Sequence, residues 1–300
     1  MKIAIAVLTY RRSKTLQTML DGLGQFCAKY PTAVFEDCGQ RDDTAAVLQR
    51  GRRPHYESAY MAHVYTQESS DCAYPGVDVY MGDRNLGVAG NSNRALRWFM
   101  QRTNADYLML CNDDLHVLGD FAEFYAQGSA DLGVEHFCFC DFTHHPSYKW
   151  MAYRVRGYGV KFLPRFTGIM MTFTRKLLER VGYFDAQFRK FGQEHCDMTI
   201  RCRFAGGVRL EGQDMNCLDL EHALLRHQDC GTSVDGPERR QADAEADAVM
   251  QRCSNDYRWR HWHRPYRLVL PEFAGGYSGG GIPVSNLLNC GYQLVTDLAR

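Results

Sequence analysis

Two adjacent carboxylates follow a short apolar segment near the middle of the chain. Asn112, Asp113 and Asp114 come directly after the apolar run at residues 107–111. Like charges this close repel each other, and a divalent cation removes that cost. Carboxylate oxygens are the ligands that Mg²⁺ and Mn²⁺ prefer. The pattern therefore predicts a metal site, and a surface turn rich in Asn and Asp is the alternative interpretation.

A second group of ionisable residues lies later in the chain, at the start of a predicted helix. Glu194 and Asp197 are three residues apart, so they share one face of that helix near its N-terminus. His195 lies between them, and its side chain is suited to proton transfer at neutral pH. We take Glu194, His195 and Asp197 as catalytic candidates. A helix start in which Asp197 pairs with Arg201 is the alternative.

The elements that would position these residues alternate along the first 215 or so residues. Apolar runs typical of strands are separated by segments with helical spacing, and the runs lie at residues 3–9, 32–35, 77–81 and 107–111. This order predicts an α/β fold with a mostly parallel sheet covered by helices. Ligands of such sheets bind beyond the carboxyl ends of the strands. Three polar clusters follow strands at that end: Thr9-Tyr10-Arg11, Glu36-Asp37 and Asn112-Asp113-Asp114.

Taken in order, six segments resemble glycosyltransferases of the GT-A fold, particularly the large inverting family 2 group. They are residues 5–12 (opening strand and nucleotide-contacting turn), 35–40 (acidic turn), 84–93 (Asn-x-Gly segment), 110–114 (DxD-type metal motif with Asn first), 168–185 (acceptor-side strand, helix and GxFD turn) and 191–201 (G-x-E-D-x-D-L-x-x-R segment). The resemblance implies a Rossmann-like αβα sandwich with a mostly parallel central sheet and a C-terminal extension. It places the glycosyltransferase domain at residues 1–230, with a nucleotide-sugar half at about 1–115 and an acceptor half at about 116–230, and the extension at 231–300.

For the donor half, the resemblance implies Mn²⁺ or Mg²⁺ as cofactor and a nucleotide-diphosphate sugar as donor substrate. The metal ligands implied are Asp114, Asp113 and one of two later histidines, His222 or His227. Spacing from Gly207 favours His222, whereas the Gly-Thr-Ser after His227 favours His227, so both stay open. The donor contacts implied are Thr9, Tyr10, Arg11, Glu36, Asp37, Asn85, Gly87, Asn93, Asn112 and Asp113.

In the acceptor half the chain departs from the family, which typically has Glu-Asp where this chain has Glu194-His195. In inverting members a carboxylate of this segment removes the proton of the acceptor hydroxyl, on a glycan or another molecule. Three interpretations stay open: Glu194 is the base, His195 is the base, or the enzyme retains configuration and needs no such base. A nucleotide-sugar-binding protein without turnover is the alternative function, and the departure at His195 is its main support.

The composition changes past residue 230. Residues 258–267 interleave Arg and His with Trp and Tyr, a pattern that can stack on bases or sugars and pair with phosphates. This favours an anionic glycan or a nucleic acid as acceptor, for example a hydroxylated DNA base that is made accessible. A packed tail with aromatic core residues and surface arginines is the alternative. Residues 51–76 are polar and predict a loop that helps to select the acceptor.

Composition narrows the function classes further. The 35 basic and 35 acidic residues exclude a uniformly basic nucleic-acid coat, though not a local basic patch. No apolar run reaches the roughly 18 residues that a membrane span needs. The 12 cysteines are scattered, without a CxxC pair or zinc-finger spacing. We therefore expect reduced thiols and a cytoplasmic location.

Overall fold

The structure is a computed structural model. It describes residues 1–37, 43–49, 52–55, 63–67, 74, 76–82, 85–141, 151–163, 167–188, 192–215, 217–228, 236–255, 267–269 and 293–295. The predicted basic and aromatic segment therefore lies outside the described residues, except for Arg267. Within the described part of the chain, no helix combines the length and the apolar character that crossing a bilayer requires.

Strands and helices alternate through the first part of the chain. In order these elements are β1 (Ile3–Thr9), α1 (Ser13–Phe26), β2 (Thr32–Glu36), α2 (Asp43–Gln49), β3 (Arg52–His55), β4 (His63–Gln67), β5 (Val77–Met81), α3 (Gly87–Arg102), β6 (Tyr107–Asn112), β7 (Leu115–Val117) and α4 (Phe121–Leu132). The later elements are β8 (Met151–Val155), β9 (Tyr158–Phe162), β10 (Met170–Thr174), α5 (Arg175–Val181), α6 (Glu194–Phe204), β11 (Arg209–Leu210), β12 (Gln213–Asp214), β13 (Leu218–Leu220), β14 (Leu225–His227), α7 (Gly236–Asn255), β15 (Arg267–Val269) and β16 (Gln293–Val295).

The central sheet has seven strands in the order β10-β6-β1-β2-β5-β4-β3. Its four middle strands, β6, β1, β2 and β5, run parallel to one another, whereas β10 and β4 pair antiparallel at the two sides. Every residue of β1 and β2 is buried, which explains why these strands are apolar without alternation. The predicted α/β class with a mostly parallel central sheet is confirmed.

Residues 51–76 differ from the sequence prediction of a loop, because they contain β3 and β4. These strands form an antiparallel pair, and β4 extends the central sheet beyond β5. Edge strands are held by backbone hydrogen bonds and need no alternating apolar pattern, so the polar run Arg52-Arg53-Pro54-His55 gave no strand signal.

Helix α3 fastens the carboxyl ends of β2 and β5 with buried polar side chains. Asn91 Nδ2 donates to the carbonyl oxygen of Phe35 at 2.9 Å. Arg94 donates from Nη1 to the carbonyl oxygen of Glu36 at 2.8 Å and from Nη2 to that of Tyr80 at 2.9 Å. Charged donors bind buried carbonyls strongly, so these bonds fix where the polar edge of the sheet begins.

A buried polar network joins α4 to a smaller sheet in the second half of the chain, whose strand order is β13-β9-β8. Tyr125 on α4 donates its hydroxyl to Asp219 on β13, and Lys161 Nζ on β9 lies 3.4 Å from the same carboxylate. Burial raises the pKa of Asp219 to about 6, while Lys161 and the Tyr125 hydroxyl oppose that rise. The network therefore ties α4 to β13 and β9 with paired rather than isolated charges.

Arg175 closes the C-terminal end of α3, and its loss tests how that end is stabilised. Its Nε, Nη1 and Nη2 donate to the carbonyl oxygens of Ala105, Met100 and Phe99 at 2.8, 3.0 and 2.8 Å. The last carbonyls of a helix lack intrahelical donors, so Arg175→Ala removes charged donors from the carbonyl oxygens of Met100 and Ala105, whereas that of Phe99 still accepts from the Thr103 hydroxyl at 2.8 Å. We expect the free energy of unfolding to fall by about 2–3 kcal/mol in urea denaturation.

Arg209 provides the matched control for this substitution. It pairs with Asp214 at 3.2 Å on the surface, where both side chains are exposed. Removing such a pair changes the free energy of unfolding by about 0.5 kcal/mol or less. Equal losses for Arg175→Ala and Arg209→Ala would contradict the capping role of Arg175.

Candidate functional site

An acidic ledge lies at the carboxyl end of β6, beside the end of β1. Asp113 and Asp114 are only 4% and 8% exposed, so they face the protein rather than open solvent. The Thr9 hydroxyl donates to Asp113 Oδ2 at 2.7 Å, because the parallel register of β1 and β6 brings the two strand ends together. Burial raises the pKa of Asp113 to about 7, although the Thr9 hydroxyl opposes the rise.

One oxygen of Asp114 contacts Arg12 and His227, and the other has no partner among the described residues. Arg12 Nη1 donates to Asp114 Oδ2 at 2.6 Å, and His227 Nε2 lies 3.4 Å from the same oxygen. Burial raises the pKa of Asp114, but His227 and Arg12 outweigh it and hold the pKa below its usual value. Asp114 Oδ1 is buried and has no hydrogen-bond partner among the described residues. An anionic oxygen in this position fits a divalent cation.

The strand pair β7 and β14 brings His227 to the ledge. The amide of His227 donates to Asp141 Oδ2 at 3.0 Å, and the amide of Gln228 donates to the carbonyl oxygen of Asp114 at 2.7 Å. Gln228 Nε2 also donates to the carbonyl oxygens of Thr15 and Leu115 at 3.1 and 2.8 Å. The segment after β14 is therefore tied to both α1 and β7.

His222 lies in a different environment, although the sequence left it as a possible metal ligand. Its Nε2 lies 2.9 Å from the Tyr125 hydroxyl, and its Nδ1 accepts from the amide of Leu224 at 3.1 Å. The ring packs against Phe124 and Phe139, and burial lowers its pKa to about 3. Both ring nitrogens are thus engaged by Tyr125 and Leu224, and His227 is the histidine that the structure brings to Asp114.

Residues that the sequence predicted to bind the nucleotide-sugar fix the turn between β5 and α3 to the end of β2. Both carboxylate oxygens of Asp37 accept from the amide of Leu86, at 3.0 and 2.9 Å. Asn85 Oδ1 accepts from the amide of Gly87 at 2.7 Å, and Gly87 has a φ of 73° that favours glycine. Glu36 ends β2 and is fully buried, and burial raises the pKa of Asp37 to about 7.

The other residues predicted to bind the nucleotide-sugar differ in their exposure to solvent. Asn93 forms a two-way contact with Phe184, donating to its carbonyl oxygen at 2.9 Å and accepting from its amide at 2.8 Å. Tyr10 is partly exposed and Arg11 is exposed, with the guanidinium 5.0 Å from the Tyr10 ring centre. Asn112 is partly exposed at the end of β6. Asn93 therefore joins the two halves of the chain, whereas the other three remain accessible at the polar edge.

Glu194 begins α6 and points a carboxylate oxygen into a buried position. It is 5% exposed, and its Oε2 has no hydrogen-bond partner in the described ranges. Its Oε1 lies 3.3 Å from His195 Nδ1. Burial lowers the pKa of His195, but contacts with Cys196 and Glu194 outweigh it and raise the pKa well above its usual value. These contacts therefore favour the protonated form of the imidazole.

Asp197 occupies a fully buried ion pair. Its Oδ2 accepts from Arg201 Nε at 2.9 Å, and Arg201 Nη1 donates to the carbonyl oxygen of Val181 at 2.8 Å. Both side chains have no exposed area. This is the arrangement that the sequence offered as the alternative to a catalytic Asp197, and it links α6 to the end of α5.

The acidic ledge and the start of α6 meet at residues 168–169. The amide of Asn112 donates to the carbonyl oxygen of Ile169 at 2.9 Å. A Cβ built on Gly168 would lie 2.9 Å from the Cβ and Cγ of His195, so only glycine permits this approach. The Asp113–Asp114 pair and the Glu194–His195 pair therefore border one region at the carboxyl edge of the sheet.

Three residues of this region were not among the sequence candidates: Arg12, Asp141 and Gln228. Arg12 stands next to Arg11 in a segment that the sequence already singled out, so position alone could have suggested it. Nothing local marks Asp141 or Gln228, because their partners lie far along the chain. A cavity of about 460 Å³, lined in part by Pro31, Asp78 and Trp98, lies at the opposite, amino ends of β2 and β5 and away from this region.

Comparisons with known proteins agree with the resemblance seen in the sequence. No protein-family profile matches the chain. The "Uncharacterized glycosyltransferase R363" of Acanthamoeba polyphaga mimivirus is 24% identical over 156 residues, which cover 49% of this chain and 59% of that protein. The chain is similar to a glycosyltransferase. The resemblance is thereby confirmed, and the match spans less than two thirds of this relative.

Solved structures with a similar arrangement include three proteins from different sources. S. aureus TarS 1-349 is 13% identical, with 66% of this chain and 54% of that chain covered and a TM-score of 0.44. The mannosyltransferase PcManGT from Pyrobaculum calidifontis, in complex with GDP-Man and Mn²⁺, is 15% identical, with coverages of 68% and 52% and a TM-score of 0.47. GalNAc-T7 with UDP, GalNAc and Mn²⁺ is 11% identical, with coverages of 70% and 44% and a TM-score of 0.48.

Proposed function

We propose that this chain is a metal-dependent glycosyltransferase that moves a sugar from a nucleotide-diphosphate sugar to a hydroxyl acceptor. The observation that carries the proposal is the buried ledge of Asp113 and Asp114, with one carboxylate oxygen left without a partner, next to the region that contains Glu194. The curated relative is a glycosyltransferase by name, which supports the reaction class.

The residues that would hold a cation are Asp114, Asp113 and His227. Within the described ranges, no three His, Cys, Asp or Glu side chains form a ready-made metal cluster. Mg²⁺ and Mn²⁺ sites of this type take one or two carboxylates from the protein, and diphosphate oxygens and water supply the rest. When bound, the cation would stabilise the charge that develops on the leaving diphosphate. Arg12, beside Asp114, would add a charged hydrogen-bond donor for the oxygens of the diphosphate.

The proposed base for the acceptor is Glu194. His195 Nδ1 is engaged by Glu194 Oε1 at 3.3 Å, whereas Glu194 Oε2 is unpartnered among the described residues and is therefore the oxygen available to accept a proton. Glu194 takes the proton of the acceptor hydroxyl, the acceptor oxygen bonds to the anomeric carbon, and the bond from that carbon to the diphosphate breaks. One direct displacement inverts the anomeric configuration, so we propose an inverting enzyme in which His195 holds Glu194 in place.

Some of the residues predicted to contact the sugar donor hold the shape of the site in this proposal, and others contact the nucleotide directly. Asp37 uses both oxygens on Leu86, so we assign it to the shape of the turn before α3. Tyr10 and Arg11 are accessible at the end of β1 and remain the proposed contacts of the nucleotide. Because its amide is occupied by Phe184, Asn93 is assigned to the junction between the halves.

A thermal-shift screen of nucleotide-diphosphate sugars with Mn²⁺ tests the reaction class. A donor at about 100 times its Kd should stabilise the protein by about 3 kcal/mol and raise the Tm by about 5 °C or more. The same donor should release its nucleotide diphosphate when a panel of hydroxyl acceptors is added. Stabilisation without release would favour a binding protein, and release of a sugar 1-phosphate in place of the nucleotide diphosphate would indicate nucleotidyl transfer. No shift with any donor would contradict the proposal.

A nucleic-acid acceptor stays a prediction. The segment 258–267 on which it depends lies outside the described residues apart from Arg267. The division at residue 230 also stays a prediction, as does the acceptor role of the loops.

A further inference from the structure

Helix α7 lies largely in solvent but presents one narrow buried stripe. Ala242, Ala246 and Val249 are buried and Met250 is partly buried, whereas the other described side chains from Gly236 to Gln251 are exposed. Their spacing of four and then three residues places them on one face of the helix. Two of the three are alanines, which allow the close approach of another backbone. The face that α7 buries therefore has a specific neighbour.

That neighbour is the turn that leads into α6. A Cβ built on Gly192 would lie 3.3 Å from Ala246 Cβ and 3.6 Å from Asp243 Oδ1. The next residue, Gln193, donates from Nε2 to Asp247 Oδ1 at 3.2 Å. Helix α7 thus contacts both residues of the turn, one by packing and one by a hydrogen bond.

The same two residues have unusual backbone conformations. Gly192 has a φ of 98° and Gln193 a φ of 66°. A positive φ is unfavourable for a residue with a side chain, so Gln193 holds this conformation only because its surroundings enforce it. The contacts that face it from α7 are part of those surroundings.

The geometry of this turn sets the direction of Glu194. Gln193 is the N-terminal cap residue of α6, and its carbonyl oxygen accepts the first helical hydrogen bond from Asp197 at 3.0 Å. Glu194 follows directly as the first residue of the helix. A change in the backbone at Gln193 would therefore rotate the Glu194 carboxylate relative to residues 168–169.

We propose that α7 is a positioning element for Glu194, acting through Asp247 on Gln193 and through Ala246 on Gly192. The inference rests on the proposed function, because it assigns the C-terminal part of the chain to the alignment of the proposed base. Asp247 and Ala246 contact Gln193 and Gly192 and act on Glu194 through them, so they are positioning residues.

The test compares the full-length protein with Asp247→Ala and Ala246→Leu, using nucleotide-diphosphate release from the donor found in the screen with Mn²⁺. We expect kcat to fall about 5- to 10-fold for Asp247→Ala, and further for Ala246→Leu, because misplacing a catalytic group lowers the rate more than it lowers donor binding. The KM for the donor should stay within about 2-fold of the wild type. Asp247→Asn keeps an acceptor oxygen for Gln193 and should restore most of kcat.

The matched control is Glu245→Ala, on the exposed face of the same helix, where Glu245 accepts from Gln241 at 2.9 Å. It should leave kcat unchanged. Hydrogen exchange gives a readout that needs no donor: the Asp197 amide should exchange faster in Asp247→Ala than in Glu245→Ala.

The outcomes separate the two proposals. Unchanged kcat in Asp247→Ala and Ala246→Leu, with activity lost in Glu194→Gln, would overturn the role of α7 and leave the proposed function intact. A lower Tm with unchanged kcat would mean that α7 only stabilises the fold, which also overturns it. Unchanged release in Glu194→Gln would overturn the base and the positioning role together.

Discussion

Asp114→Asn is expected to remove Mn²⁺-dependent binding of the donor while the protein stays folded. The substituted amide keeps an oxygen that can accept from Arg12, but it loses the negative charge that attracts a cation. Even residues that only support metal ligands typically change affinity by about 10–100-fold, so loss of this ligand should lower Mn²⁺ affinity by about 100-fold or more. Titration calorimetry with Mn²⁺ and donor measures the affinity directly.

The control for Asp114→Asn stands at the other end of the same strand. Asp106 precedes β6, is exposed, and accepts from the Lys2 amide at 3.1 Å. Asp106→Asn changes the net charge by the same amount but should leave both Mn²⁺ affinity and the donor-dependent Tm shift unchanged. If Asp114→Asn bound Mn²⁺ and donor like the wild type, the ledge would not be the metal site.

The position of this ledge could be predicted from the sequence because the signals for it are local. A strand buried on both faces is a continuous apolar run, and polar residues that follow it must lie at the sheet edge. The runs at β1 and β6 are of this kind, so Thr9 and Asp113 were expected near each other, and the Thr9–Asp113 hydrogen bond follows from that register. The edge strand β3 carries no such pattern, since its residues are polar.

The partners that complete the ledge could not be predicted in the same way. Arg12 and Asp114 are 102 residues apart, and Gln228 reaches Thr15 across 213 residues. The sequence left both His222 and His227 open, because the spacing from Gly207 favours the first and the Gly-Thr-Ser after His227 favours the second. Only packing separates them: aromatic rings surround one, whereas the pairing of β14 with β7 carries the other to Asp114.

Burial also decides which polar residues are free for chemistry. Asp197 and Asn93 fit the resemblance by type and spacing, yet the structure engages each with a protein partner. A buried polar group without a partner is costly, so most such groups are satisfied within the fold. Asp114 Oδ1 and Glu194 Oε2 depart from that rule within the described residues, and for this reason they carry the functional proposal.

Glu194→Gln should lower kcat by about 10²–10⁴-fold, the usual contribution of a positioned general base. The amide has nearly the same shape, so the KM for the donor should change little. The substitution should also lower the pKa of His195, because the Glu194 carboxylate is one of the groups that raise it. Less of the imidazole is then protonated at neutral pH, and NMR titration of the His195 ring measures this shift without any substrate.

Glu179→Gln, on the exposed side of α5, is the matched control and should change neither kcat nor the pKa of His195. The two readouts distinguish the possible roles of Glu194. A lower pKa of His195 with unchanged kcat would mean that Glu194 only holds the imidazolium, and the acceptor proton would then leave by another route. A lower kcat together with the shifted pKa would support Glu194 as the base. An inverted anomeric configuration in the product would support the single displacement, because one direct attack at the anomeric carbon inverts it.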